Sequence, residues 1–347
     1  MKELVSNGEV PIFVMKLILP GRIHLQAGLP FCSNGSYNER ALKLLVRLLT
    51  VVLLCCCSFA QNLPNVPPRT EVLGPRVELV SVTFLVTDKH GRFVKDLRQA
   101  QFKILDNDKP PREIVIFEAQ TNMPLRVGLL FDASKSIRDR FLFEQKASAE
   151  FFSQAIRPQS DQAFVLAFDE VPEVVTDFTD NVDKLTAGIH SIHPGGGTAL
   201  WDAVFYACRD KMMKQVNNGP VRRVIVVVSD GNDNQSRVLR QEAIEMTQRA
   251  EVTIYAISTN LGNTPSTGEN NLKMLAEATG GRAFYPYKIQ DLADAFTEIQ
   301  GELRSQYYVA YKPDDFTANG QFRSVQITPD NKKLRVRVRK GYFAPKR

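Results

Sequence analysis

Cysteine is nearly absent from the part of this chain that reads as folded. Of five cysteines in 347 residues, Cys32 and Cys55 to Cys57 fall within the first sixty positions, so removal of that stretch leaves Cys208 alone and allows no intramolecular disulfide. Cys208 sits in the helical pattern ALWDAVFYACRDKM and is expected to be a buried, inert thiol. Long apolar runs are missing too: Leu48 to Cys57 (LLTVVLLCCC) falls short of the ~20 residues that a membrane span needs. There is no GxSxG elbow and no HExxH helix, which removes the commonest hydrolase arrangements. The glycine triplet Gly195-Gly196-Gly197 has no Lys-Ser/Thr tail and there is no GxGxxG, which removes the usual nucleotide cradles. The net charge of +6 is modest and scattered, without zinc-finger spacing, a helix-turn-helix cue or aromatic interleaving, so nucleic acid is not an expected partner. Arg335, Arg337 and Arg339 alternate in LRVRVRK and read as the solvated face of a strand. His190 and His193 straddle a helix end before Pro194 and have no further ligands nearby, so they read as solvated or capping side chains.

What is present begins with a targeting signal in an unusual place. Arg40, Lys43 and Arg47 precede the apolar run, and Ser58-Phe59-Ala60 offers the small residues of a cleavage site, which would leave Gln61 as the mature start. Residues 1–60 are thus expected to be an upstream misassigned start plus a signal peptide, and the protein to be extracytoplasmic: periplasmic, cell-surface or secreted. A lipoprotein anchor on Cys55 to Cys57 ranks second, because leucines and cysteines stand where such processing prefers small residues. After cleavage no stable membrane span remains.

Residues 61–76 form a proline-rich linker (NLPNVPPRTEVLGP). Residues 77–120 then alternate with period two, in Val77 to Thr87, Phe102 to Leu105 and Ile114 to Glu118, with a hairpin turn at Asp88 to Gly91. Residues 307–347 have the same character. Neither piece is large enough to bury a core alone, so the two flanks are expected to fold together as one small antiparallel β-sandwich. Between them, residues 121–306 alternate strands and helices, as a doubly wound, mostly parallel α/β sheet requires. Arg126 to Phe131 and Val221 to Val228 are continuous apolar runs, as in parallel strands covered on both faces. Val171 to Thr176 follows its predecessor after a tight turn and fits an antiparallel edge strand.

Three distant segments follow these elements: Asp132-Ala133-Ser134-Lys135-Ser136, Gly195-Gly196-Gly197-Thr198 and Ser229-Asp230-Gly231. Ligands of open α/β sheets collect beyond the carboxyl ends of the strands, where these segments fall. Two carboxylates and three hydroxyls there suit a hard divalent cation, and the lack of nearby Cys or His argues against zinc or copper. The competing reading makes Asp132 and Ser134 simple helix caps and the glycine run a flexible turn. A phosphatase of the haloacid-dehalogenase type would need a second Asp two residues after Asp132, where Ser134 stands.

The order DxSxS, GGGT-A and SDG resembles the von Willebrand factor type A domain, over about Pro124 to Ser305. In that family these segments form the metal-ion-dependent adhesion site. The resemblance implies that Ser134, Ser136 and Thr198 offer hydroxyl oxygens and that Asp132 and Asp230 act largely through water and hydrogen bonds. It implies Mg2+, or Mn2+ or Ca2+, as the ion, and a protein ligand presenting Asp or Glu as the sixth donor. It also implies a last helix, about Ile289 to Gln306, that shifts with ligand state and here leads into the sandwich. Lys135 departs from the family pattern, which usually has a small residue there; a cation at this place weakens the hold on the metal or attracts an anionic ligand. The expected function is an exported, non-enzymatic, metal-dependent protein-binding module. Its rivals are an assembly subunit of a larger envelope complex and a divalent-metal hydrolase, the latter lacking a convincing general base within the motif segments.

Overall fold

The computed structural model describes residues 13–16, 26–29, 79–119, 122–135, 140–217, 219–260, 266–286 and 288–346. It divides into two compact units, Met1–Gly74 and Pro75–Arg347. In the first, β1 (Phe13–Lys16) pairs antiparallel with β2 (Gln26–Leu29). The apolar run, the cleavage position at Ala60 and the proline-rich stretch lie outside the described residues. Among the described residues no helix is long and apolar enough to cross a membrane.

The second unit opens with β3 (Val80–Thr87), whose alternation buries Val80, Val82, Phe84 and Val86 on one face. The turn after it is set by Asp88, whose Oδ1 accepts from the His90 and Arg92 amides at 2.8 and 3.0 Å. β4 (Phe102–Asp106) and β5 (Glu113–Ala119) follow. The α/β part then runs β6 (Leu125–Asp132), α1 (Phe141–Ala155), β7 (Gln162–Phe168), β8 (Pro172–Thr179), α2 (Val182–Ser191) and α3 (Leu200–Tyr206), which continues as a π-helical stretch over Ala207–Met212. It goes on through β9 (Arg222–Ser229), α4 (Arg240–Arg249), β10 (Val252–Ser258), α5 (Thr267–Ala278), β11 (Ala283–Phe284) and α6 (Ile289–Leu303). The chain closes with β12 (Gln306–Lys312), β13 (Phe322–Pro329), β14 (Arg335–Val338) and β15 (Gly341–Phe343).

The six-stranded sheet has the order β11-β10-β9-β6-β7-β8 and is parallel except for the edge strand β8. Successive residues of β6 face opposite layers, which is why its apolar run is continuous. Leu129 and Phe131 join a core with Phe141, Phe151 and Phe152 of α1 and Phe296 and Ile299 of α6, while Leu130 joins Leu200 and Val204 of α3, Cys208, and Leu272 and Leu275 of α5. Cys208 is a free, buried thiol, and burial pushes its ionisation far above the ordinary range.

The flanks form the expected sandwich. One sheet has the order β14-β3-β12-β5 and the other β15-β13-β4, and their inner faces share one core. β12, from the far end of the chain, lies between β3 and β5, so the two early strands have no direct pairing. The Phe84 and Tyr307 rings stack at 5.3 Å, and Phe102 and Phe117 pack around them. At the other end of this core Asp106 accepts from Tyr311 Oη (2.9 Å), Tyr342 Oη (2.8 Å) and Arg323 Nε (2.7 Å).

The arginine row near the C-terminus departs from expectation. The LRVRVRK run is not one strand: β14 ends at Val338 and β15 joins the other sheet. Arg335 is exposed, but the Arg337 guanidinium pairs with Glu302, which is 2% exposed in the last turn of α6, and its Nε donates to the Gly280 carbonyl at 3.1 Å. Arg339 is buried and donates to the Ser81 carbonyl (2.8 Å) and to Glu251 (3.1 Å). The α/β layer presents two carboxylates across the junction, and their charge draws in side chains that alternation alone assigns to solvent. α6 reaches β12 after two residues.

Candidate functional site

Asp132 ends β6 and is fully buried. Its Oδ1 accepts from the Ser134 amide at 2.8 Å and its Oδ2 from Ser229 Oγ at 2.6 Å. Ser229 ends β9, the neighbouring strand, so the first and third loops are joined through this carboxylate. Ser134 is 2% exposed. The second loop leads from α2 to α3 and is tied to both others. The Gly195 amide donates to the Ala133 carbonyl (2.6 Å), Thr198 donates its amide to Asn234 Oδ1 (2.9 Å), and the Thr198 carbonyl accepts from Asn234 and Gln235 (3.0 and 3.1 Å). Asp132, Ser134, Thr198 and Asp230 are therefore carried by three interlocked loops at one sheet edge. Ser136 lies outside the described residues.

Glycine is required at two places here. Gly231 adopts φ +78°, and a Cβ on it would come within 2.1 Å of the Gly268 carbonyl at the start of α5. A Cβ on Gly197 would meet Gln235 Cγ at 2.6 Å. The helix-cap reading of Asp132 fails locally: α1 has Arg140 at its N-cap with no side-chain cap bond, and the Asp132 oxygens are taken by loop donors. His190 and His193 are exposed, at and beyond the end of α2.

Among the described residues, the buried carboxylates of this edge are only partly offset by positive charge. Burial pushes Asp132 up to about 6, against the pull of hydrogen bonds from Ser229 and Ser134, and Asp230 adds repulsion. Glu144, on the buried face of α1, is 1% exposed, and neither of its carboxylate oxygens has a hydrogen-bond partner among the described residues. Burial pushes it up to about 8, with repulsion from Asp132 and Asp230 only partly offset by Arg140. Three mutually repelling carboxylates beside buried hydroxyls fit a hard divalent cation, which takes oxygen ligands and relieves that repulsion. Among the described residues no group of three or more His, Cys, Asp or Glu side chains is placed to hold a metal by itself. Sequence reading passed over Ser229, Asn234 and Glu144. Ser229 is part of the SDG motif itself, and Glu144 shares the helical spacing of Phe141, Ser148, Phe151 and Phe152.

Comparison with protein families matches residues 127–302, half of the chain, to the von Willebrand factor type A domain. Among solved structures the chain is similar to proximal thread matrix protein 1 from the mussel byssus with a zinc-occupied MIDAS motif, at 15% identity over 58% of this chain and 50% of that one, with a TM-score of 0.46. It is also similar to von Willebrand factor type A from Catenulispora acidiphila, at 12% identity over 78% and 74% of the two chains (TM-score 0.46), and to the PilB minor pilin from Streptococcus sanguinis, at 14% over 54% and 62% (TM-score 0.43). The chain spans about half the length of the mussel protein. No curated protein matches. Strand order, motif order and the match over residues 127–302 agree: this chain belongs to the von Willebrand factor type A domain family.

Proposed function

We propose that this protein is a metal-dependent protein-binding module acting outside the cytoplasm. In this reading Asp132, Ser134, Ser136, Thr198 and Asp230 hold a divalent cation, magnesium before manganese or calcium. The observation that carries it is the charge imbalance among the described residues of the sheet edge, where burial raises Asp132 and Glu144 and Arg140 offsets Glu144 only in part, while three loops bring Ser134, Thr198 and Asp230 to the same edge. When bound, the ion supplies a Lewis-acidic place for a carboxylate oxygen of the partner's Asp or Glu. Neutral Ser and Thr hydroxyls leave most of the ionic charge available to that carboxylate. Lys135, exposed beside Ser134, adds long-range attraction for an acidic partner. Binding rather than turnover is favoured because Glu144, the further carboxylate that feels Asp132 and Asp230, is buried on the inner face of α1 and closed to solvent.

The test is capture of envelope proteins of the producing organism on immobilised full-length chain, in magnesium and in EDTA. Wild type retains partners only in magnesium, and Asp132→Ala and Thr198→Ala retain none while keeping the circular dichroism spectrum of the wild type. Capture that persists in EDTA sinks the reading. Calorimetry with magnesium alone gives a partner-free check: wild type binds and Asp132→Ala does not.

A further inference from the structure

A cleft that none of the cation-site residues occupies opens beside the three loops. It has a volume of about 300 Å³ and lies between the β7–β8 turn and the C-terminal end of α2. Its apolar walls include Phe168, Val171, Val175 and Ile192; Val171, at the tip of the hairpin, is 63% exposed. Asp169 and Glu173 bring carboxylates to the same cleft. Neither enters an ion pair among the described residues, whereas Asp177, farther along the same strand β8, is neutralised by Lys211 at 2.6 Å. The cleft is also fixed relative to the cation loops. Ala133, which lines it, follows Asp132 directly, donates its amide to the Phe168 carbonyl at 2.8 Å and accepts from the Gly195 amide at 2.6 Å.

An apolar trough with unneutralised carboxylates complements one kind of side chain, a long aliphatic stem with a cationic head. An acidic side chain would meet repulsion there, and a purely aliphatic one would partly desolvate both carboxylates while giving neither a positive charge. Resting on the metal-dependent reading above, we propose that this cleft receives a lysine or arginine of the same partner whose carboxylate meets the cation. The recognised feature is then an acid–base pair of side chains close together on the partner surface. Lys135 and the cation site take the acidic member, and the Asp169–Glu173 hairpin takes the basic one. Glu173 is the specificity-determining residue to alter, because its side chain is exposed on an edge strand and makes no hydrogen bond or ion pair among the described residues, whereas the Asp169 carbonyl also holds the Ala199 amide at 2.6 Å.

The experiment uses synthetic Gly/Ser peptides carrying one Asp, alone or with Arg, norleucine or Glu placed one to three residues to either side. Binding to the full chain is followed by calorimetry and by amide NMR shifts, in magnesium and in EDTA. At the best spacing the Arg peptide binds about tenfold more tightly than its norleucine counterpart, the Glu peptide binds more weakly than either, and the signals of Ala133 and Phe168 to Glu173 shift with Arg. Glu173→Lys erases the difference between the Arg and norleucine peptides, both of which still bind in magnesium. Equal binding of Arg and norleucine peptides overturns the cleft assignment while leaving metal-dependent capture standing, as does an Arg advantage that survives Glu173→Lys. Failure of every Asp peptide to bind in magnesium overturns the capture reading and this inference with it.

Discussion

Asp106 in the sandwich and Asp132 and Glu144 at the sheet edge are buried alike, at 2%, 0% and 1% exposure, yet their surroundings differ. Asp106 is surrounded by donors: two tyrosine hydroxyls and the Arg323 guanidinium, whose Nη2 lies 2.6 Å from Oδ1. Asp132 has only neutral donors, from Ser134 and Ser229, and neither Glu144 oxygen has a hydrogen-bond partner among the described residues. A buried charge that is fully paired belongs to a closed structural network. One left uncompensated costs stability, and that cost persists where an external charge completes the site. The contrast separates scaffold from site without reference to any motif.

The largest effect follows from breaking the closed network. Asp106→Ala leaves Arg323 with only the partly exposed Asp315 and removes the acceptor of two buried hydroxyls, so it is expected to cost about 3–5 kcal/mol in denaturant unfolding. Because Asp106 joins β4 to β12, β13 and the Tyr342 strand, the loss falls on both flanks together. A loss below about 1 kcal/mol would show that the tyrosines and Arg323 find other partners, and the contrast with Asp132 would lapse.

The opposite sign is expected at Glu144. Its folded-state ionisation, raised to about 8, lies above the ordinary glutamate value of 4.5 that holds in the unfolded chain, so the native state binds the extra proton. In EDTA this stabilisation is complete below about 4.5 and is lost as pH rises through 8. Glu144→Gln, which cannot ionise, should therefore stabilise the metal-free protein by roughly 1–3 kcal/mol at pH 9 and by little at pH 4.5, flattening the profile. Thermal unfolding across that range reads the difference. A parallel pair of curves for wild type and variant would mean that Glu144 is not the titrating group.

The sequence made much of this layout visible, for identifiable reasons. The alternation in β3 and β12 and the unbroken apolar runs of β6 and β9 are local patterns set by which faces are covered, so the sandwich and the parallel sheet could be expected before the coordinates. The three loops proposed to hold the cation were legible because each is a contiguous motif at the end of an element. What was missed depends on distant partners. Arg337 and Arg339 are drawn inward by Glu302 and Glu251, which lie 35 and 88 positions away, and no local spacing reports that. Val338 also ends its strand where the chain changes sheets, a break that an uninterrupted alternation conceals. Glu144 was overlooked because a glutamate in an amphipathic helix ordinarily faces water, although its register with Phe141 and Phe151 already placed it inward.

The smallest effect sharpens the comparison at the rim of the site. Lys135 is exposed, so its repulsion of a bound divalent cation acts largely through water, where a single and a double charge at ~8 Å interact by about 1 kcal/mol. Lys135→Gln should therefore tighten magnesium binding by no more than about fivefold at low salt, and the gain should fade as ionic strength shortens the screening length. Calorimetry at low and high salt reads both parts. A gain independent of salt would mean that Lys135 acts through loop geometry, and no gain at low salt would mean that its charge points away from the ion. In either case the electrostatic character of this edge would rest on the buried carboxylates alone, as it does for Glu144.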